Sequence, residues 1–486
     1  MKFRTFTVSA LTIIAGLIIT SCSKSNSITV STPVLQIGQE VSDAAPLSGS
    51  IKGTMVTGKT YVIGGNVTVN AGDTLLLQPG VRVKVKKGLT ILVKGVFISL
   101  GSKSQPNWIG PYDSLVKTDQ IGANPETDPA YSGYWTGIAC DPSCTLFDMK
   151  WTHLEFTGGT YGATFFPVGK AAGKTAFGVL FQNPDGNIIV EDSWFYGSVD
   201  DIFRVSSGHF SFMRNTFEKC GFTGGDGINV KGGSIGDMAY NLCVGSATNA
   251  TKASNKKSPG PQCDVNMYNN TYIDCGFRQV DPTGRGGSLN YEEGAKGAAF
   301  NNLIVNCRCG LRVDNKPHAD FANLTYGYNY SYGDSLSVCD NFYPVPPTYS
   351  VTIPEPTDIP TPTQAVFPDS LYSKTYLYAQ DASGDGIHWD KPYDGSSFVQ
   401  KNNPEFVNFP LPIPNIKHLS DVSAVGNFDF RLQAGSPAIG AGTTDPNKIS
   451  PLNATSSVTD PNLKAIVTPP GADCGCYQSN GTGNQH

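Results

Sequence analysis

Basic side chains at four positions have the chemistry needed to act on an acidic sugar. β-Elimination requires a base that takes the proton beside a uronate carboxylate, and a cation or second basic group that neutralises this carboxylate. Lys231 and Arg285 are the candidate catalytic residues, and Arg204 and Arg312 are further groups of the same kind. The residue types therefore allow a polysaccharide lyase.

Calcium is the cofactor that such a lyase would use. Ca²⁺ takes six to eight oxygen ligands, and Asp226, Glu292 and Glu293 supply carboxylates. These residues do not form a dense acidic cluster, and an ordinary glycine-rich turn at residues 224–227 explains Asp226 equally well. The sequence thus names no certain cofactor and no metal site.

Alternating segments would place the basic residues in a row. Counting back from the repeated asparagines at positions 241 and 302 aligns two such segments without a gap. Their apolar residues would point inward, so the polar ones would form a strip on one outer face. This strip either binds a glycan or consists of charges that only neutralise one another. The first predicted column contains Arg204, Asn229, Asn290 and Arg312, and the second contains Ser206, Lys231, Glu292 and Asp314.

A repeated motif indicates how these segments stack. Residues 214–222 recur as residues 269–277, and more loosely as residues 301–307, with related pieces beginning at Asn241 and Asn323. Repeats of this length are typical of solenoids. Because short alternating strands separated by Gly or Asn turns fill each unit, the sequence predicts an all-β, single-stranded right-handed parallel β-helix.

Two side-chain columns follow from this repeat. The recurring asparagine, Asn270 for example, would stack as an amide ladder at a tight turn, whereas Asn329 is expected to lie outside the ladder. Cys220, Cys275 and Cys307 follow their asparagines at one fixed offset, so we expect them to stack in the interior as small hydrophobic residues.

Three further segments resemble bacterial β-helix proteins of the pectate-lyase-like superfamily. Residues 67–81 look like first coils, residues 134–138 resemble a recurrent coil motif, and residues 429–439 resemble a closing segment. The resemblance implies one elongated domain. It does not imply one chemistry, because the superfamily includes lyases, hydrolases, epimerases and adhesins.

A hydrolase similar to the polygalacturonases is the weaker enzymatic alternative. Asp200 and Asp201, followed by His209, resemble that family superficially, since paired carboxylates can divide the acid and base roles. Phe210 follows His209, however, and the other motifs of the family are absent.

The first residues predict export and lipid attachment. A short apolar stretch follows Lys2 and Arg4 and ends at residues 19–22, which resemble a bacterial lipoprotein signal with Cys22 as the lipidated residue. We therefore expect a signal peptide over residues 1–21, a tether over 22–50, a β-helix over 51–480 and a tail over 481–486. A proline-rich loop or insertion over 341–370 is followed by a predicted return to the coil at residues 405–408.

Charge and composition restrict the partners. The net charge of −5 provides no basic field for nucleic acid. The chain resembles β-helix lipoproteins of Bacteroidota-type bacteria, which implies anchoring in the outer membrane, facing either the periplasm or the exterior, beside glycan-uptake proteins. Polysaccharide binding is the leading hypothesis, with a uronate lyase and a structural or adhesive protein as alternatives. Trp194, Tyr196, Tyr240, Tyr268 and Tyr291 are the candidate stacking residues.

The cysteines do not indicate a complete disulfide framework. Eleven remain after Cys22, an odd number. Cys140 and Cys144 flank a turn and could form a disulfide bond in an oxidising envelope. Structural zinc is disfavoured because the closely spaced cysteine pairs have no histidine nearby.

Overall fold

Three short parallel strands make up each turn of the chain, and successive turns stack into a parallel β-helix. The computed structural model describes residues 34–117, 126–256, 260–279, 286–315, 319–320, 322–333, 403–411 and 422–486. The predicted signal peptide, Cys22, Arg285 and the proline-rich segment 341–370 lie outside these residues. Among the described residues, the single helix is a short 3₁₀ turn at Pro129–Tyr131, and no helix is long and apolar enough to cross a bilayer.

Sheet 1 consists of one strand from each coil, and all of its strands pair in parallel with their neighbours. The strands are β2 (Gly53–Met55), β4 (Thr74–Leu77), β7 (Val96–Leu100), β10 (Leu146–Lys150), β13 (Asn187–Glu191), β16 (Gly208–Met213), β19 (Ser234–Ala239), β22 (Asp264–Tyr268), β25 (Lys296–Phe300) and β28 (Leu324–Gly327).

Sheets 2 and 3 diverge from one long strand, β3 (Thr60–Val69), whose first half pairs with sheet 2 and second half with sheet 3. Sheet 2 continues through β5 (Arg82–Val85), β8 (Asn107–Pro111), β11 (Thr152–Thr157), β14 (Trp194–Ser198), β17 (Thr216–Glu218), β20 (Leu242–Val244), β23 (Thr271–Ile273), β26 (Leu303–Val305) and β29 (Tyr330–Tyr332). Sheet 3 continues through β6 (Thr90–Val93), β9 (Gly137–Cys140), β12 (Val179–Phe181), β15 (Phe203–Val205), β18 (Ile228–Val230), β21 (Asn249–Ser254), β24 (Gly287–Glu292) and β27 (Arg312–Asn315).

The helix interior is filled by the inward residues of all three sheets. Because adjacent coils are in register, like side chains lie above one another, as the stacked rings of Phe195 and Phe217 show at 4.9 Å between centroids. Cys220, Cys275 and Cys307 are fully buried, which confirms that they belong to the interior. Cys140 and Cys144 are also buried, and both are free thiols in the structure.

The predicted amide ladder is present at the turn between sheets 1 and 2. Each rung donates its Nδ2 to the Oδ1 of the next asparagine and to a backbone carbonyl, as Asn270 does to Asn302 (2.9 Å) and to Met238 (2.9 Å). Its Oδ1 in turn accepts the backbone N–H of the preceding rung. The described ladder contains Asn215, Asn241, Asn270, Asn302 and Asn329.

Two assignments at the end of the ladder were wrong. Asn329 is the last rung, because its Oδ1 accepts from Asn302 at 2.9 Å, and Asn323 is an exposed residue bonded to Asp320. The residue before each rung adopts a left-handed conformation, including Tyr328 at a φ of 54°. This turn, rather than the spacing of asparagines, defines the repeat position.

The chain departs from the predicted boundaries at both ends. Residues 47–50 were assigned to a tether, but β1 (Leu47–Ser50) pairs in parallel with β3. Residues 405–408 were expected to return to the coil, but β30 (Phe406–Asn408) pairs antiparallel with β31 (Asp429–Leu432). Residues 481–486 were assigned to a tail, but Asn484 is buried and donates to the carbonyl of Asn215 at 3.1 Å.

The segment 443–476 is a strap that lies along the coils instead of adding to them. It contacts successive coils through hydrogen bonds at its backbone carbonyls and amides. Thr443 accepts from Asn301, Leu452 donates to Asp237, and Lys464 accepts from Lys150 at 2.7 Å. The strap therefore joins coils that are far apart in the stack.

Asp148 is a buried carboxyl on the outer face of sheet 1. It lies between Ile98 and Ile189 on the adjacent strands, and both of its oxygens lack a hydrogen-bond partner among the described residues. The nearest cation, Lys150 Nζ, is 3.9 Å away. Burial raises the pKa of Asp148 well above its ordinary value.

We predict that Asn302→Ala and Asn329→Ala lower the free energy of unfolding by about 1–3 kcal/mol for each buried group left unsatisfied. Asn323→Ala, the matched control, should leave it nearly unchanged because that side chain is exposed. Urea denaturation measures all three. A larger loss at Asn323 than at Asn329 would contradict this ladder.

We predict that Asp148→Asn stabilises the protein at neutral pH. A carboxyl with a raised folded-state pKa contributes stability below its unfolded pKa and loses it as the pH rises. Wild-type stability relative to the variant should therefore fall above about pH 4. Denaturation midpoints between pH 3 and 8 test this, with exposed Asp185→Asn as the control; parallel wild-type and Asp148→Asn curves would refute it.

Candidate functional site

A column of cations and amides runs across the outward positions of sheet 3. The register pairs Arg204 with Asn229, and Asn290 with Arg312, as the alignment predicted. Lys252, which the alignment missed, lies between Asn229 and Asn290. The alignment skipped this coil because nine residues separate β21 from β22, whereas three separate β18 from β19 and three separate β24 from β25.

Cations occupy alternate positions of this column, and an amide separates each pair. Two coil spacings of about 4.8 Å place successive cations roughly 9.6 Å apart. This separation weakens the repulsion between Arg204, Lys252 and Arg312 compared with cations on adjacent coils.

The second predicted column is only partly formed. Ser254 is the partner of Glu292 in β24, so Lys231 and Glu292 are not on adjacent coils. The next strand bulges, and Asn315 rather than Asp314 pairs with Glu292. Lys252 instead forms the ion pair with Glu292, at 2.6 Å between Nζ and Oε1.

Burial contradicts the prediction of a strip that is open along its whole length. Asn290 is 1 % exposed and Arg312 is 2 % exposed. The side chain of Arg204 is 21 % exposed, and Lys231 is partly exposed. The end of the site around Arg204 and Lys231 is therefore the more accessible one.

An acidic ladder, which sequence reasoning missed, supports the same column from one side. The Oδ1 of Asp201 accepts the backbone N–H of Asp226, and the Oδ1 of Asp226 accepts that of Asn249, both at 2.8 Å. Each of these residues precedes a column residue by three positions, a fixed offset that could have revealed them. Asp201 also binds Arg204 at its Nε, at 2.7 Å.

The carboxyl group of Asp200 stands beside this ladder. Burial and the neighbouring charge of Asp201 raise the pKa of Asp200 to about 7. His209, the histidine of the hydrolase hypothesis, lies in β16 of sheet 1, whereas both aspartates precede β15 of sheet 3. The three residues are thus not brought together on one sheet.

Buried amide oxygens in the site have no hydrogen-bond partner among the residues that the structure describes. They are the Oδ1 atoms of Asn229, Asn249 and Asn290. Their Nδ2 groups are used, as in the bonds from Asn229 to Asp226 (2.6 Å) and from Asn290 to Glu292 (3.0 Å). Each free oxygen can accept a hydrogen bond, and leaving it unsatisfied costs about 1–3 kcal/mol.

Lys231 is the basic group of the site whose pKa is lowered. Burial, together with the positive charges of Lys252 and Arg204, lowers its pKa to about 8. The amine is consequently far easier to deprotonate than an ordinary lysine.

The described carboxylates of the predicted calcium ligands all contact nitrogen donors. Asp226 accepts from Asn229 and Asn249, Glu292 binds Lys252, and Glu293 lies 3.4 Å from Lys256. Within the described part of the chain, no three His, Cys, Asp or Glu residues are grouped as metal ligands.

The candidate stacking aromatics present no free ring faces. Tyr196, Tyr240, Tyr268 and Tyr291 are buried. One face of Trp194 stacks on His153 at 4.4 Å, and the edge of His486 contacts it at 3.4 Å between centroids. Binding by sugar stacking at these residues is therefore not supported.

The chain was compared with known proteins. No protein-family model matches it, and no curated protein or solved structure does.

We predict that wild-type stability rises relative to Lys231→Met between about pH 8 and 10.5, the folded and ordinary pKa values of lysine. A lowered folded-state pKa means that the unfolded chain binds more protons in this window, so stability increases with pH. Thermal denaturation at several pH values measures the difference, with exposed Lys464→Met as the control. A constant difference across this window would show that the amine of Lys231 is not perturbed.

Proposed function

We propose that the polar columns of sheet 3 bind an acidic polysaccharide. The observation that carries this proposal is the pair of partly exposed cations, Arg204 and Lys231, at the accessible end of the column, where the unsatisfied Oδ1 of Asn229 lies on the coil next to Arg204. Sugar hydroxyls donate to amide oxygens, and uronate carboxylates accept from Arg and Lys. Binding would begin at Arg204 and Lys231, where the site is partly exposed.

The proposed setting is the cell envelope. Lipid attachment at Cys22 would hold the β-helix on the outer membrane, on either its periplasmic or its outer side, where glycan-uptake proteins could be partners. The support for this setting is the sequence of the first 22 residues. A structural or adhesive envelope protein remains the alternative without a glycan site.

A polysaccharide lyase is the second candidate function, and the environment of Lys231 favours it. A base acts best when its pKa is near the working pH, and the pKa of Lys231 is lowered to about 8. Lys252 and Arg204 contribute to that shift, and Arg204, which is partly exposed beside Asp201, would be the group that binds the uronate carboxylate. Arg285, the other candidate base, lies outside the described residues.

We predict that Lys231→Met weakens binding of an oligogalacturonate by about ten- to a hundredfold, because a charged hydrogen bond contributes about 1.5–3 kcal/mol. The variant should remain folded. The charge of Lys231 is desolvated, and among the described residues no salt-bridge partner would be left unpaired by its removal. Calorimetric titration at low and high salt measures the affinity, and Lys464→Met on the other face is the control.

An absorbance assay on the same variants separates the two functions. A lyase produces an unsaturated uronate whose absorbance rises with time, and Lys231→Met should abolish that rise while binding is partly kept. A receptor shows binding without the rise. Equal affinity of wild type, Lys231→Met and Arg204→Gln would refute a site on sheet 3.

A further inference from the structure

The first coils carry an exposed row of cations on sheet 2, away from the columns of sheet 3. Arg82 and Lys84 of β5 point outward, and Lys86 just after it continues the row, while Val83 and Val85 are buried. None of the three cations has an ion-pair partner among the described residues, although the whole chain carries a net charge of −5. The row is thus locally positive on a negative protein.

Nearby carboxylates offset only part of this charge. Glu155 forms its ion pair with Lys117, another cation. Asp113 accepts the phenol O–H of Tyr134 at 2.7 Å, and because this donor is neutral the carboxylate can offset one of the three cations. The row therefore stays net positive.

A glycine opens a notch beside the row. In β8, Trp108 pairs with Arg82, and Gly110 pairs with Lys84. Because Gly110 has no side chain, a recess of about 260 Å³ remains, lined by both residue pairs and by Tyr112. A Cβ on Gly110 would meet the Glu155 side chain at 3.6 Å, an ordinary contact, so close packing does not explain the glycine.

Aromatic side chains form the walls of this notch. Tyr112 is 45 % exposed, and Lys86 stands over its ring at 5.5 Å. Arg82 lies over Trp108 at 5.3 Å. The indole is also stacked on His153 at 3.7 Å, and Lys117 Nζ lies 5.4 Å from its ring centre, so it is held in place and leaves no face open for stacking. The notch therefore combines a fixed indole at one side, an accessible phenol ring and cations held at its rim.

We propose that this notch is a separate binding site for an anionic sugar residue. The pyranose ring would sit over Gly110, between Trp108 and Tyr112, and its carboxylate or sulfate group would be bound by Lys84 and Lys86. A recess beside an aromatic ring fits a sugar ring. An anionic membrane surface is flat, so it would contact the cations but would not use the recess. The proposal does not depend on the columns of sheet 3, since it shares no residue with them.

The test compares two ways of disabling the notch. Gly110→Val fills the recess without removing charge, and Lys84→Gln with Lys86→Gln removes charge without filling it. The probes are a sulfated dextran oligomer, an oligogalacturonate, neutral dextran, and vesicles containing anionic phospholipid. The control is Lys174→Gln with Lys464→Gln, which removes two other exposed charges.

Each change at the notch should weaken binding of at least one acidic oligomer about tenfold or more, with an unchanged melting temperature. The control should retain this binding. In a Lys231→Met background the notch substitutions should weaken it by the same factor as in the wild type, which distinguishes the notch from the site on sheet 3. Equal binding by Gly110→Val and wild type would overturn the proposal, as would binding to vesicles but not to oligomers, or equal affinity for neutral dextran.

Discussion

Every coil depends on the coils before and after it for its backbone hydrogen bonds. Parallel pairing between coils leaves no sheet that one turn of chain could form alone, so stacking in register is the constraint from which the other features follow. The amide ladder from Asn215 to Asn329 enforces this register at the sharpest turn, because each rung completes the bonds of both neighbours. Repetition of side chains in columns is then unavoidable, whether they are apolar, like Phe195 and Phe217, or charged.

Stacking in register also brings charged side chains close together, which costs free energy through repulsion and desolvation. Two arrangements in this protein reduce that cost. In sheet 3, amides separate the cations, and Asp201 and Glu292 neutralise two of them from the side. In sheet 1, Asp148 has no comparable partner, and burial favours its neutral form. Sheet 3 thus has a polar face with free acceptors, whereas sheet 1 has a single carboxyl that lies between two isoleucines and whose pKa is raised by burial.

The sequence indicated the fold because the signals of the ladder are local. Each of the first four asparagines is followed by a short strand and, five positions on, by a cysteine or serine, and this pattern is visible without a structure. Four of the five residues of the candidate column were also predictable, since Arg204, Asn229, Asn290 and Arg312 do align. Lys252 was missed because the longer connection after β21 breaks the gapless alignment of the repeats. The burial of Asn290 depends on neighbouring parts of the structure, which the alternating pattern of one strand does not contain. The notch at Gly110 arises because this strand residue has no side chain. A glycine in the sequence does not by itself predict a recess, which requires the positions of Trp108 and Tyr112.

The strap changes the order in which the protein can be completed. Solenoids normally gain coils one after another, and each coil is finished once its successor is in place. Here Leu76 and Ile98, on the outer face of the first coils, are covered by Leu463, near the far end of the chain. During synthesis Leu35 and Ile37 can pack against these residues early, but the contact with Leu463 forms only when almost the whole polypeptide has been made. The earliest coils to be made are therefore among the last to be completed.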